Sequence, residues 1–104
     1  MFYYPDRDWF EKIDLLVRTR GEDETRTMCM EECAELVQAI SKVMRAKTDA
    51  EKDKARTNLL MEIADVLISI DLLQMTEEFG SDEVMAAVDE KMLRNLARIG
   101  GDGK

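Results

Sequence analysis

A chain of 104 residues, 45% hydrophobic and 37% charged, has the material for one folded domain around one core. Its net charge of −8 argues against a general binder of nucleic-acid backbone, which needs clustered Lys and Arg. It holds no histidine, which excludes Ser-His nucleophilic catalysis, histidine general-base chemistry and histidine-ligated zinc.

The only proline is Pro5, and the five glycines fall at 21, 80 and in the last residues. The interior therefore lacks the breakers of a many-stranded protein, and an all-α fold of four helices in a bundle is expected. Residues 1–5 are an aromatic lead-in, with Pro5 placed for a helix start. A first helix is expected from about Asp6 to Thr19. Trp9, Ile13, Leu16 and Val17 form its apolar stripe, with Phe10 beside it. Gly21 marks its end.

A second helix is expected from near Asp23 to about Ala46, with acidic residues crowding its first turn. At 100° per residue, Cys29, Cys33, Leu36, Val37, Ile40 and Val43 share one apolar face, joined by Met44. Glu32 projects at the edge of that face, Glu35 further round and Glu31 further still. The two cysteines, four residues apart, would strain a disulfide and read as small apolar core residues.

Thr48 and Glu51 match a capping box and start a third helix. Its first part, 49–57, is highly charged and reads as solvated. From Leu59 to Met75 it turns apolar: Leu59, Ile63, Val66, Leu67, Ile70 and Leu73 share a face, and Met61, Ile68 and Leu72 occupy the other side. A helix apolar nearly all round lies centrally or at a subunit contact, so a homo-oligomer is expected. Gly80 is placed at the end of this helix and Ser81 as the cap of a fourth, which runs to about Arg98. Val84, Met85, Val88, Met92, Leu96 and Ile99 form its apolar face. Residues 100–104 read as a flexible tail. One domain spans 1–104. No run approaches the length of a membrane span and no signal-like segment is evident, so a cytoplasmic setting is expected.

Two acidic stretches stand out. Glu31-Glu32-Cys33-Ala34-Glu35 and Glu62-Ile63-Ala64-Asp65 each set carboxylates three residues apart within a helix, where they share a side. No basic residue follows either stretch at three or four positions, and none lies in 66–73. If the helices pack together, four carboxylates converge and repel unless protonated or bound to cations. All-oxygen ligands suit magnesium first and manganese second, and such a metal joins carboxylates to substrate phosphates. Hydrolytic phosphoryl or nucleotidyl transfer is the chemistry implied.

This pattern, Glu-Glu-X-X-Glu followed after a gap by Glu-X-X-Asp, resembles the signature of the MazG-like all-α NTP pyrophosphohydrolases. Lys91 and Asn95 resemble a Lys-X-X-X-Asn element in their last core helix. The resemblance covers roughly residues 6–98 and points to the compact, single-domain type. It implies magnesium-dependent hydrolysis of an NTP or dNTP to the monophosphate and pyrophosphate. It also implies Glu32, Glu35, Glu62 and Asp65 as metal ligands, with Glu31 an extra acid for water activation or a further metal. Glu31 and Glu35 are then the candidate catalytic acids; Lys91 would neutralise phosphate and Asn95 would hydrogen-bond phosphate or sugar. Asn58, one turn before Glu62, is a candidate support of the site. Asp6-Arg7-Asp8-Trp9 resembles a segment of dCTP-hydrolysing relatives in which an aromatic residue contributes to the base pocket, which makes Trp9 a candidate substrate contact beside its reading as core. The partners expected are a nucleoside triphosphate and a second copy of the chain, as homodimer or homotetramer, with no nucleic-acid polymer and no membrane. A phosphoribosyl-ATP pyrophosphohydrolase would share the acids, and a non-catalytic helical interaction protein would use them as a solvated face.

Overall fold

The computed structural model describes residues 7–102; the expectations for the aromatic lead-in of residues 1–5, Pro5 included, and for Asp6 lie outside them. The described chain is all α-helix: α1 (Arg7–Arg20), α2 (Glu22–Arg45), α3 (Asp49–Thr76) and α4 (Ser81–Asp102). The starts follow local chemistry. Gly21, at φ 85°, turns the chain from α1 into α2. At Thr48 the capping box is complete. The Thr48 hydroxyl accepts from the Glu51 amide at 3.1 Å, and Glu51 accepts in return from the Thr48 amide at 3.2 Å.

The end of α3 differs from the sequence expectation. Gly80 does not terminate it. The helix stops at Thr76, and Glu78 takes the left-handed conformation at φ 59°. The Phe79 amide donates to the Gln74 carbonyl and the Glu78 amide to that of Met75, a Schellman pattern. Gly80 instead precedes α4, where its amide donates to the Glu83 carboxylate at 2.8 Å. Residues 100–102, read as tail, continue α4 as helix.

Helices α2 and α3 form an antiparallel hairpin, and α1 packs on both. Arg26 ties the open end of the hairpin, donating from Nε to Glu77 at 2.6 Å and from Nη2 at 3.3 Å. Buried Thr25 and Thr76 satisfy their hydroxyls on the carbonyls of Gly21 and Leu72, one turn back. The Cys29 thiol donates to the Ser69 carbonyl at 3.2 Å, pinning the two helices together.

The inner line of the hairpin repeats every seven residues. On α2 it is Thr25, Glu32 and Ala39, continued by Ala46 just past the helix end; on α3 it is Ala55, Glu62, Ser69 and Thr76. All of these are buried or half-buried. Small side chains let the backbones approach, and the two glutamates stand in the middle of the small residues. The apolar faces projected from the sequence are rotated away from this line. Cys29 is buried, but Cys33, Val37, Ile40 and Met44 are exposed, as are Ile63, Ile70 and Leu73.

Among the described residues, α4 makes no close packing contact with α1, α2 or α3. Its apolar face is open: Met85, Met92, Leu96 and Ile99 are exposed. The Cα radius of gyration is 16.9 Å, against the ~13 Å of a compact chain this long.

Candidate metal and phosphate site

Heptad placement on the two helices carries Glu32 and Glu62 into the hairpin, and Glu35 follows Glu32 by one turn. Glu32, Glu35 and Glu62 each bring a carboxylate oxygen to within 4.8 Å of the others. Glu32 and Glu62 are half-buried; Glu31, Glu35 and Asp65 are exposed. Asp65 lies outside the tight triad but close enough for its charge to act on both Glu32 and Glu62.

Electrostatics record the crowding. The Glu32 carboxyl is pushed up to about 7. Desolvation is the first cause, followed by the charges of Glu35 and Asp65, a hydrogen bond that holds its proton against Glu35, and the charge of Glu62. Glu62 is raised by desolvation, then by Glu35 and Asp65, while the Lys42 ammonium opposes the rise. One oxygen of each, Glu32 Oε1 and Glu62 Oε1, is buried without a hydrogen-bond partner among the described residues. Buried carboxylate oxygens are costly to leave bare. Three converging carboxylates with two such oxygens fit a hard cation: all donors are oxygen, and the charge needs neutralising.

The model of the MazG nucleotide pyrophosphohydrolase domain matches residues 20–97. The chain belongs to this family. The match takes in both acid stretches, most of α4 and all of α2 and α3, while most of α1 precedes it. No curated protein and no solved structure matched the chain. Membership supports nucleotide pyrophosphohydrolase activity, and the all-α helical architecture accords with it.

The other candidate residues of this MazG domain are dispersed. Asn58 is half-buried one turn before Glu62 and lines a cavity next to the acids. Trp9 is half-buried on α1, and its indole donates to Asp71 Oδ2 at 2.8 Å. Together they border a second cavity of about 370 Å³ with Phe10, Gln74 and Phe79. Asp71 follows Glu62 by nine residues, about 2.5 turns, so it faces the opposite side of α3. Lys91 and Asn95 are exposed on α4, and the single chain does not bring them to the acids. The sequence reading missed Lys42, whose charge reaches Glu62; its two-turn spacing from Glu35 was the available signal. No described helix is long and apolar enough to cross a membrane.

Proposed function

We propose that this chain is a magnesium-dependent nucleoside triphosphate pyrophosphohydrolase, cleaving an NTP or dNTP to the monophosphate and pyrophosphate. The observation that carries the reading is the triad Glu32, Glu35 and Glu62 with its two bare buried oxygens, in a chain of the MazG family. Those three side chains, with Asp65 beside them, would hold the ion. When bound, magnesium, or manganese in its place, would neutralise phosphate charge and acidify water.

The residues' own tasks follow from their placement. Glu32 and Glu62, fixed in the hairpin, would hold the ion in one place. Glu31, exposed and outside the triad, is free to take a proton from water, and Glu35, at the exposed edge of the triad, is the second candidate. That water attacks the α-phosphorus; its new P–O bond forms as the bond to the bridging oxygen breaks, and pyrophosphate leaves. A purely solvated acidic face accounts poorly for Glu32 and Glu62, because solvated carboxylates have no bare buried oxygens. A phosphoribosyl-ATP substrate would use the same acids. A panel of NTPs, dNTPs and phosphoribosyl-ATP, scored for pyrophosphate release with magnesium and with chelator, separates the three readings. Glu35→Ala and Asp65→Ala should each abolish turnover while the helical circular dichroism persists; full activity in both would sink the ligand assignment.

Self-association belongs to the same proposal. The chain exposes 8081 Å², about 2,000 Å² more than the ~6,000 Å² of a compact monomer of this mass. The excess is the size an obligate dimer covers. The open apolar face of α4 and the exposed Val37, Ile40, Met44 and Met61 of the hairpin offer the two sides of such a contact. A second copy would also bring a Lys91 and an Asn95 within range of acids that the single chain keeps apart from them. Light scattering at micromolar concentration should give a homodimer or homotetramer; a strict monomer would exclude it. The free thiols Cys29 and Cys33 suit the reducing cytoplasm proposed as its setting.

A further inference from the structure

From the acids toward the closed end of the hairpin, the side chains along the α2–α3 seam change sign. Along α2 the positions Glu35, Ala39, Lys42 and Ala46 follow one another at three- and four-residue steps on one side of the helix. Along α3 the matching positions are Glu62, Asn58, Ala55 and Glu51. Ala55 is buried and Ala46 is half-buried, so methyl groups form the floor of this stretch. A cavity of about 490 Å³ lies over this floor. Lys42, Arg45 and Lys54 line it, with Asn58 at its acid-facing edge.

One carboxylate, Glu51, also faces the cavity. It is committed elsewhere: Oε1 accepts from the amides of Lys47 and Thr48 at 2.8 and 3.2 Å. The wall therefore carries three cations against one anion whose charge the helix N-terminus already satisfies. In a chain of net charge −8 such a concentration of positive charge has no general electrostatic cause. Lys42 links the two ends, since its charge acts on Glu62. From Glu35 to Lys42 is about 10 Å along the helix axis. That span is comparable to the length of a polyphosphate chain, and long lysine and arginine side chains have the reach to meet its far end.

We propose that Lys42, Arg45 and Lys54 form the seat of the distal phosphates, so that the polyphosphate lies along the α2–α3 groove with its β and γ phosphates toward the hairpin turn. This rests on the nucleotide reading above and deepens it. The orientation follows from charge: the phosphoryl group to be attacked sits at the acid end, and the leaving pyrophosphate sits on the cations, which stabilise its charge as the bond breaks. The seat also sets specificity. A nucleoside diphosphate leaves the far cations unused, so the third phosphate is read by Arg45 and Lys54.

The test uses the full chain with Arg45→Ala and Lys54→Ala combined. Lys12→Ala with Arg18→Ala, on α1, matches the change in net charge. Two readouts are taken. Titration calorimetry measures binding of inorganic tripolyphosphate in magnesium, and steady-state kinetics compare a nucleoside triphosphate with its diphosphate. The groove variant should bind tripolyphosphate at least about tenfold more weakly than wild type, two lost charge-assisted contacts being worth that or more. Its KM should rise for the triphosphate and hold for the diphosphate, while the α1 variant matches wild type in both. Equal tripolyphosphate affinity in the groove variant and wild type overturns the seat. If no nucleotide is hydrolysed by wild type, the enzyme reading fails, yet selective loss of tripolyphosphate binding in the groove variant still supports the seat.

Discussion

Binding of magnesium to the acid triad should expel protons, with Glu32, raised to about 7, the main source and Glu62, also raised, adding to it. The Glu32 carboxyl titrates at about 7 in the metal-free protein, because desolvation and three neighbouring acids resist its ionisation. A hard cation requires the ionised form, so binding displaces whatever proton Glu32 carries. At pH 7 the group is half protonated and about half a proton leaves Glu32; at pH 6 about 0.9, and at pH 8 about 0.1. The apparent affinity for magnesium should accordingly fall about tenfold from pH 8 to pH 6. Calorimetry in two buffers of different ionisation enthalpy reads the proton count directly. Glu32→Gln, which cannot ionise, should bind more weakly and release far less. Binding with no buffer dependence at pH 6 would refute the coupling, and no magnesium binding at any pH would refute the site.

Further outcomes follow from individual contacts. Without metal, the raised Glu32 pKa contributes stability that is complete at acid pH and lost as pH rises through about 7, so the metal-free melting temperature should fall from pH 5 to pH 8 and magnesium should remove that fall. Trp9→Phe loses the 2.8 Å hydrogen bond to buried Asp71 and should cost about 1–2 kcal/mol in urea unfolding; no change would mean the contact adds nothing. Glu78→Gly should stabilise the protein by roughly 0.5–1 kcal/mol, because glycine adopts the left-handed φ of 59° without the penalty a Cβ brings; a loss of stability would show that Glu78 makes a favourable contact there.

The helices and their caps were legible from local chemistry. The Thr48–Glu51 pair announced its capping box, and the four helices fell within a few residues of their expected bounds. The turn after α3 was misread because glycine is the usual left-handed residue, whereas Glu78 holds that conformation and Gly80 serves α4. The side chains of the hairpin's inner line were harder to see. An apolar projection weights Val37, Ile40 and Ile63, which the single chain leaves exposed, and passes over Ala39, Ala55 and Ser69, whose small volume is what lets α2 and α3 approach. That is why Glu32 and Glu62 were expected at the margin of an apolar stripe and stand instead among small residues inside the hairpin. The acid motif itself was readable from spacing. The place of α4, outside the packing of the other three helices, was not, since its amphipathic pattern says only that it needs a partner and not whether that partner is in the same chain.

The central claim is that the carboxylates inside the α2–α3 hairpin hold the ion that supports pyrophosphate release. The most direct measurement is pyrophosphate produced from a nucleoside triphosphate by wild type and by Glu62→Gln, each with magnesium and with excess chelator. Wild type with magnesium should release pyrophosphate and monophosphate in equal amounts, chelator should stop it, and Glu62→Gln should remain helical and inactive. Release that survives chelator, or a Glu62→Gln protein as active as wild type, would contradict the account.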